Sequence, residues 1–421
     1  MVTKNKSLPL GFHDVSAALD GSRGRVTAWD RWLARKLLVL ADRPPVVLVL
    51  WDGEEIYEGR GTPVGRVRVR SRRALHRLAR NPNLEFGDLY AVGALEVEGD
   101  LVKFLETVYT SIRDGGGGFL RRRLARLQER PRPNTLRGSK ANIHHHYDIG
   151  NAFYALWLDR YAMQYTCAYY PEPDMTLEAA QEAKLDHVAR KLRLKPGDRV
   201  VEAGCGWGGL ARHFASRYGV KVRAYNISHE QIVYATERAR EMGLDGQVEY
   251  VEDDYRNITG TYDVFVSVGM LEHVGVPNYP ALGGVIDRCL TDRGRGLIHS
   301  IGRNRAQFMH GWIEKRIFPG AYPPTLREAM DIFEPYEFSI LDVENLRLHY
   351  ARTLSHWLER FERHQDWVER EYDRAFFRAW RLYLAGSVAA FTTGSLQLFQ
   401  IVFARPRDND LPWSRAHLYG S

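Results

Sequence analysis

The sequence predicts an α/β protein: a Rossmann-like sheet with helices on both faces, preceded by a small α+β N-terminal domain. Three observations carry that expectation. A β-rich run, Arg199 to Ala203, feeds three glycines at alternating positions, Gly204, Gly206 and Gly208, and then a helix through about Tyr218. Strand-like and helix-like segments continue to alternate downstream, an order that implies a parallel sheet. Upstream, ERPRPNTLRGSK (129–140) is a Pro- and Gly-punctuated linker between regions of different character.

Taken in chain order, residues 1–24 are polar, Gly-bearing and aperiodic, which predicts a loose tail. The first domain is expected over 25–128. In it Asp30 to Leu40 fits a helix, and Val46 to Trp51 and Gly65 to Arg70 (GRVRVR, alternating) read as strands with Asp52-Gly53 turning between them. Arg72 to Arg80 and Leu101 to Arg113 read as helices. After Gly115 to Gly118, FLRRRLARLQER sets Leu120, Leu124 and Leu127 at i, i+4 and i+7 with arginines over the other faces. Such a helix suits a lipid headgroup surface, or it packs its leucines on the domain and solvates its arginines. The second domain, 141–421, adds strand Val220 to Tyr225, strand Asp263 to Val268, a helix near Asn278 to Leu290 and strand Gly296 to Ile301.

Composition narrows the classes. A chain of 421 residues, 44% hydrophobic and 12% aromatic, buries a large core, so disordered and fibrous classes are excluded. Cys167, Cys205 and Cys289 are odd in number with no C-x-x-C pair, which argues against a disulfide framework or a Cys-based metal site and for a reducing cytoplasm. No apolar run approaches the roughly 20 residues that span a bilayer, and no signal pattern opens the chain. The net charge of +7 is unevenly placed. Residues 1–140 hold 26 Lys+Arg against 16 Asp+Glu, and 141–421 hold 33 against 36, so the positive excess lies wholly in the first third. That third is the part expected to meet a polyanion, nucleic acid or an anionic lipid surface, the plainer reading being a solvated basic face in an Arg-rich chain.

The glycine turn carries the chemistry. Glycines there let the chain turn sharply and let a ligand approach bare backbone at a helix N-terminus. The spacing is G-x-G-x-G rather than the dinucleotide G-x-G-x-x-G, and Glu202 stands two residues before the first glycine. That combination points to an S-adenosylmethionine (SAM) methyltransferase of class I. Three further clusters are more specific: NIHHHYDIGNAFYALWLD (Asn142 to Asp159), MQYTCAYYPEPDMTLEAAQEAKLDHVARKLRLKPGDRVVEAGCGWGGLA (Met163 to Ala211), and VSVGMLEHVG (Val266 to Gly275), with LIHSIGRN at Leu297 to Asn304. Together they resemble the cyclopropane-fatty-acyl-phospholipid synthases and the mycolic acid cyclopropane synthases and methyltransferases. The resemblance is dense over about residues 140–405, through LQLFQIVFAR, and thinner in LEFGDLYAVGALEVEGDL (Leu84 to Leu101).

The resemblance implies a SAM-dependent enzyme that alkylates the double bond of an unsaturated acyl chain on a phospholipid and closes a cyclopropane. It implies a bound bicarbonate as base, held by Cys167, Glu272, His299, Ile301 and Tyr350. For SAM it implies Tyr165, Thr166, Glu202, the Gly204-Cys205-Gly206 turn with Gly208, then Asn226, Ser228 and Gln231, with Asp254 and Tyr255 at the adenine. Relatives carry Thr where this chain has Asn226; asparagine still hydrogen-bonds a hydroxyl. A carbocation on the lipid needs cation-stabilising faces, for which Tyr147, Phe153, Tyr154, Tyr169 and Tyr170 are candidates beside Tyr350. An aromatic stripe is as often plain core.

Consecutive His144, His145 and His146 point in different directions and have no partner at ligand spacing, so no metal is expected. Partners follow as unsaturated phospholipid chains at an anionic membrane surface, with a homodimer left open and nucleic acid disfavoured by the absence of a base-flipping D/N-P-P-Y type motif. The expected location is the cytoplasmic, inner face of the membrane, peripherally. Two alternatives stand beside ring closure: loss of a neighbouring proton, which leaves a methyl or methylene branch, and a non-catalytic lipid-binding protein on a methyltransferase fold.

Overall fold

The structure, a computed structural model, describes residues 10–12, 15, 24–114 and 149–419. The segment 119–130 expected to be helical, the whole linker 129–140, the triple histidine and Tyr147 lie outside the described residues. The chain divides into two compact units. One comprises Met1–Arg130 with Phe308–Pro319 and Leu354–Ser395, the other Pro131–Gln307 with Gly320–Thr353 and Leu396–Ser421. The linear partition into 25–128 and 141–421 is therefore not how the residues pack: the later segment gives two of its pieces to the first unit.

In the first unit, helix α1 (Ala28–Leu40) opens on a capping box in which Thr27 accepts from the Asp30 amide and Asp30 accepts from the Thr27 amide. Strands β1 (Val46–Val49), β2 (Glu55–Ile56), β3 (Gly65–Val69) and β4 (Leu95–Glu98) form a sheet in the order β2-β1-β3-β4. The Asp52-Gly53 turn returns the chain onto β2, not onto Gly65 to Arg70 as the sequence suggests, and β3 lies parallel to β1. The fully buried VVLV of β1 explains this, since a central strand takes a partner on each edge. Helices α2 (Arg72–Arg80), α3 (Pro82–Ala91) and α4 (Leu101–Asp114) complete the N-terminal part. The expected loose tail is corrected where it is described: Leu10, Phe12 and Val15 are buried, and Arg316 donates to the carbonyls of Leu10 and Gly11 at 2.7 and 2.8 Å.

The second unit holds a seven-stranded sheet. Its elements run α5 (Asn151–Ala155), α6 (Leu177–Lys191), β5 (Arg199–Ala203), α7 (Gly209–Tyr218), β6 (Lys221–Asn226), α8 (His229–Glu241), β7 (Val248–Glu252), β8 (Tyr262–Val268), α9 (Tyr279–Cys289), β9 (Leu290–Gly302), β10 (Ser339–Asn345) and β11 (Gln397–Ala404). The order is β10-β11-β9-β8-β5-β6-β7, parallel from β9 to β7, with β11 antiparallel to both of its neighbours. Apolar residues fill both faces, as a sheet covered by helices requires: Val200, Val264 and Leu297 on one side, Val201, Phe265 and Ile298 on the other. The β-strand ends carrying the glycine turn, Glu272 and His299 share one edge, which is where ligands bind in such sheets.

Candidate functional site

The glycine turn is built by backbone. Gly204, Gly206 and Gly208 all have positive φ (84°, 53° and 74°), so only glycine follows this path without strain. The amides of Gly204 and Cys205 both donate to the Tyr225 carbonyl at 2.9 and 3.1 Å, fastening the turn to β6. A Cβ at Gly204 would meet the Met270 side chain and one at Gly208 the Tyr250 ring, whereas one at Gly206 would meet no atom within 4 Å. Gly206 is thus the point at which the turn faces open space. Beneath it Glu202 is buried, and burial lifts its carboxyl to about 8 despite Lys184 and Arg212 nearby.

Across the turn, the Trp207 indole donates to Asn151 Oδ1 at 2.8 Å, which seats α5 on the glycine loop. Tyr154 packs on Trp207 and Tyr165 (centroids 5.0 and 5.5 Å), and Trp157 on Tyr165 (5.2 Å). Phe153 and Tyr154 are fully buried in this cluster. Asn226 ties the loop to α8: its amide group donates to Gly206 O at 3.3 Å and Gln231 Oε1 at 2.8 Å, and its carbonyl accepts from Ile227 N at 2.9 Å. Gln231 Nε2 is a buried donor with no partner among the described residues. Ser228 is buried at the N-terminus of α8. Asp254 caps the next turn through its Oδ1, which accepts from Arg256 N. The Tyr255 ring, expected beside adenine, is buried in the core, and the Arg256 guanidinium lies 5.2 Å from its centre.

The five residues assigned to an anion are linked by backbone connections. The Gly269 amide donates to the His299 carbonyl (2.9 Å), so the turn after β8 delivers Glu272 beside β9. Glu272 Oε1 there accepts from Ile301 N at 2.6 Å. On β11, Leu398 pairs with Ile301 and its carbonyl accepts from Leu346 N at 2.9 Å. The Leu346 carbonyl in turn accepts from Tyr350 N at 3.1 Å and lies 3.9 Å from Cys167 Sγ. Two polar atoms of the group, Glu272 Oε2 and His299 Nε2, are buried with no partner among the described residues. Burial raises the Glu272 carboxyl to about 7 and drives the His299 imidazole well below its ordinary value, with the Lys184 and Lys191 charges adding to the latter. Burial also holds the Cys167 thiol far above the range in which a thiolate forms, so it is no nucleophile.

Tyr169 stacks on His187 (4.1 Å, 2°) and lies 5.0 Å from His349, while Tyr170 N donates to His349 Nδ1 and the Arg352 guanidinium lies over the Tyr170 ring. Both rings are held by cationic or imidazole neighbours.

Sequence reasoning passed over one helix stripe. Gln181, Lys184, His187 and Lys191 recur every three or four residues on α6, and all four are buried. Lys184 Nζ donates to Gln164 Oε1 (2.5 Å) and Thr166 Oγ1 (2.9 Å), Gln181 Nε2 donates to Thr166 O (2.9 Å), and burial lowers Lys184 to about 8. The readable signal was polar residues at helical spacing among Leu177, Ala180, Leu185 and Val188.

Among the described residues, no group of three His, Cys, Asp or Glu could hold a metal ion, and no helix is long and apolar enough to cross a membrane.

Residues 134–401 match the family described as mycolic acid cyclopropane synthetase, and 33–114 match a domain of unknown function. A probable fatty acid methyltransferase of Pseudomonas putida is 35% identical over 396 residues, 89% of this chain and 96% of that one. The cyclopropane-fatty-acyl-phospholipid synthase of Escherichia coli (strain K12) is 42% identical over 271 residues, 64% of this chain and 69% of that one. Among solved structures, the cyclopropane synthase MmaA2 from Mycobacterium tuberculosis superposes with a TM-score of 0.60 at 28% identity, covering 63% of this chain and 98% of that one. Mycolic acid cyclopropane synthase CmaA1 complexed with SAH and CTAB gives 0.60 at 27%, covering 63% and 98%. With that sheet order, that glycine turn and a family match over most of its length, the chain belongs to the mycolic acid cyclopropane synthetase family of class I SAM-dependent methyltransferases.

Proposed function

We propose that this enzyme transfers a methyl group from SAM to the double bond of an unsaturated phospholipid acyl chain and closes a cyclopropane, with bicarbonate as the base. The observation that carries the reading is that backbone hydrogen bonds and strand pairing link Cys167, Glu272, His299, Ile301 and Tyr350, and that Glu272 Oε2 and His299 Nε2 are buried without partners among the described residues. Each unsatisfied buried polar atom calls for a partner, and a small polar anion is the kind of group that supplies one. The cofactor fits as well, because Gly206 leaves its Cβ position open and Gln231 Nε2 lacks a partner among the described residues. When bound, SAM supplies an electrophilic methyl on a sulfonium and bicarbonate supplies a base that a sulfonium does not readily alkylate.

The protein's share is placement. The glycine turn offers backbone to the cofactor, and Glu202 and Gln231 border it. Glu272, poised near neutrality, holds or releases a proton at Oε2 while Oε1 stays fixed on Ile301 N. The buried setting excludes water, so an alkene is not outcompeted as nucleophile.

The names of relatives support a fatty acyl substrate, including a cyclopropane-fatty-acyl-phospholipid synthase and fatty acid methyltransferases. A membrane surface is supported by the first-third charge and by α1, where exposed Trp29 and Trp32 stack at 4.7 Å with Lys36 over Trp32. A branching outcome is the second reading, favoured by the fatty acid methyltransferase that spans 89% of this chain. The test is proton NMR of lipid recovered after incubation with SAM and unsaturated phospholipid vesicles. Upfield ring-methylene signals are expected; vinylidene signals in their place would establish branching, and unchanged lipid would overturn both.

A further inference from the structure

We propose that Gln400, locked by Lys191 and Glu344, fixes His299 as the Nε2–H tautomer and so makes it a standing hydrogen-bond donor toward the anion. The inference rests on the bicarbonate reading for the identity of that anion, but not for the tautomer.

Donors and acceptors follow one from the next through four buried or part-buried side chains. Lys191 Nζ lies 2.5 Å from Glu344 Oε2 and 2.7 Å from Gln400 Oε1. An ammonium has only donors, so the Gln400 atom facing it is the carbonyl oxygen and the amide cannot be flipped. Its Nε2 therefore faces His299 Nδ1, 3.1 Å away. That group is a donor, so Nδ1 presents its lone pair and the single proton of a neutral imidazole sits on Nε2. An imidazolium would set an Nδ1–H against the amide hydrogens. Burial and the Lys184 and Lys191 charges oppose that form as well. Nε2 is the buried atom left without a partner among the described residues.

The far end of the chain is secured too. Glu344 Oε2 also lies 2.8 Å from His187 Nε2, and His187 is clamped by the stacked Tyr169 ring. These contacts hold the Glu344 carboxyl down at about 2. Burial pulls Lys191 below its ordinary value, and the Glu344 carboxylate opposes that shift. Gln400 also sits within β11 and pairs with His299 across β9, so its Cα is not free to move. Gln400 and Lys191 are positioning residues: they act through His299.

The test uses the full-length enzyme labelled with 15N-histidine, the His299 signals being identified by their loss in His299→Gln. The parental enzyme is expected to show a protonated Nε2 and a bare Nδ1; a protonated Nδ1 would overturn the proposal. In Gln400→Glu the facing atom becomes an acceptor and the tautomer should invert, and in Lys191→Met the amide is released and the two tautomers should mix. With decarbonated buffers and added bicarbonate, Gln400→Glu should need about tenfold more bicarbonate for half-maximal turnover, the scale of one hydrogen bond to a charged group, and Lys191→Met, whose donor tautomer is only partly populated, about twofold more. Their SAM affinity by calorimetry should be unchanged. An Nε2–H signal that persists in both variants, with an unaltered bicarbonate requirement, would also overturn the relay. Parental turnover independent of bicarbonate would instead overturn the bicarbonate reading while leaving the tautomer result standing.

Discussion

Glu272 concentrates the energetic conflict of the site in one residue. Its folded carboxyl keeps a proton up to about pH 7, against an ordinary value of 4.5, because burial penalises the charge more than the Ile301 amide stabilises it. Folding therefore takes up a proton between those values, and this residue's contribution to stability falls as pH rises from 4.5 to 7. Glu272→Gln should remove that slope. Relative to the parent it should be more stable at pH 8 than at pH 4.5 by up to about 3 kcal/mol, the equivalent of the full shift. Denaturant melts at the two pH values check this, and turnover of the same variant should drop far more than its SAM affinity. At the glycine turn, two neighbours separate binding from folding. Gly206→Ala meets open space, so it should cost folding only about 1 kcal/mol of left-handed strain while weakening SAM in calorimetry. Gly208→Ala meets the Tyr250 ring and should destabilise by a further 1 kcal/mol or so.

At the scale of elements, the first unit depends on a helix that comes from far along the chain. On α10 (Gly311–Arg316), Arg316 makes a bidentate contact with Asp88 of α3 at 2.9 and 2.7 Å, and Trp312 Nε1 donates to the same carboxylate at 3.0 Å. Asp88 and Arg316 are both buried, so removing one charge leaves the other uncompensated. Arg316→Met should cost about 3–5 kcal/mol in chemical denaturation, whereas Arg66→Met, whose pairing with Glu55 is exposed, should cost less than about 1 kcal/mol. Gly87 allows this packing, because a Cβ there would meet the Trp312 ring. No local pattern around residue 88 announces a partner 228 positions away, which is why the sequence shows the split at 129–140 but not the later segments that pack into this unit.

For the molecule as a whole, the uneven charge sets the expected behaviour at membranes. All of the positive excess lies in residues 1–140, so binding should favour anionic over zwitterionic vesicles and weaken as salt shortens the screening length to about 10 Å at 0.1 M. Neutralising Arg121, Arg122, Arg123 and Arg126 should weaken it further in a vesicle sedimentation assay, and replacing Trp29 and Trp32 with Ser should weaken the part that salt does not remove. Binding indifferent to lipid charge would assign that basic surface to solubility.

What the sequence determined by itself is whatever depends on near neighbours. The β5 strand and the glycine turn, the α2 bounds and the family clusters could be read because alternation, helical spacing and glycine's access to positive φ are local properties. What only the tertiary structure decided is how distant polar groups satisfy one another. The antiparallel β11 brings Gln400 to His299, α6 turns Lys184 and Lys191 inward, and Asn226 donates to the glycine loop and to Gln231. A buried donor or acceptor must find a partner, and that partner is chosen by the fold in three dimensions, across more than a hundred residues in the case of His299 and Gln400.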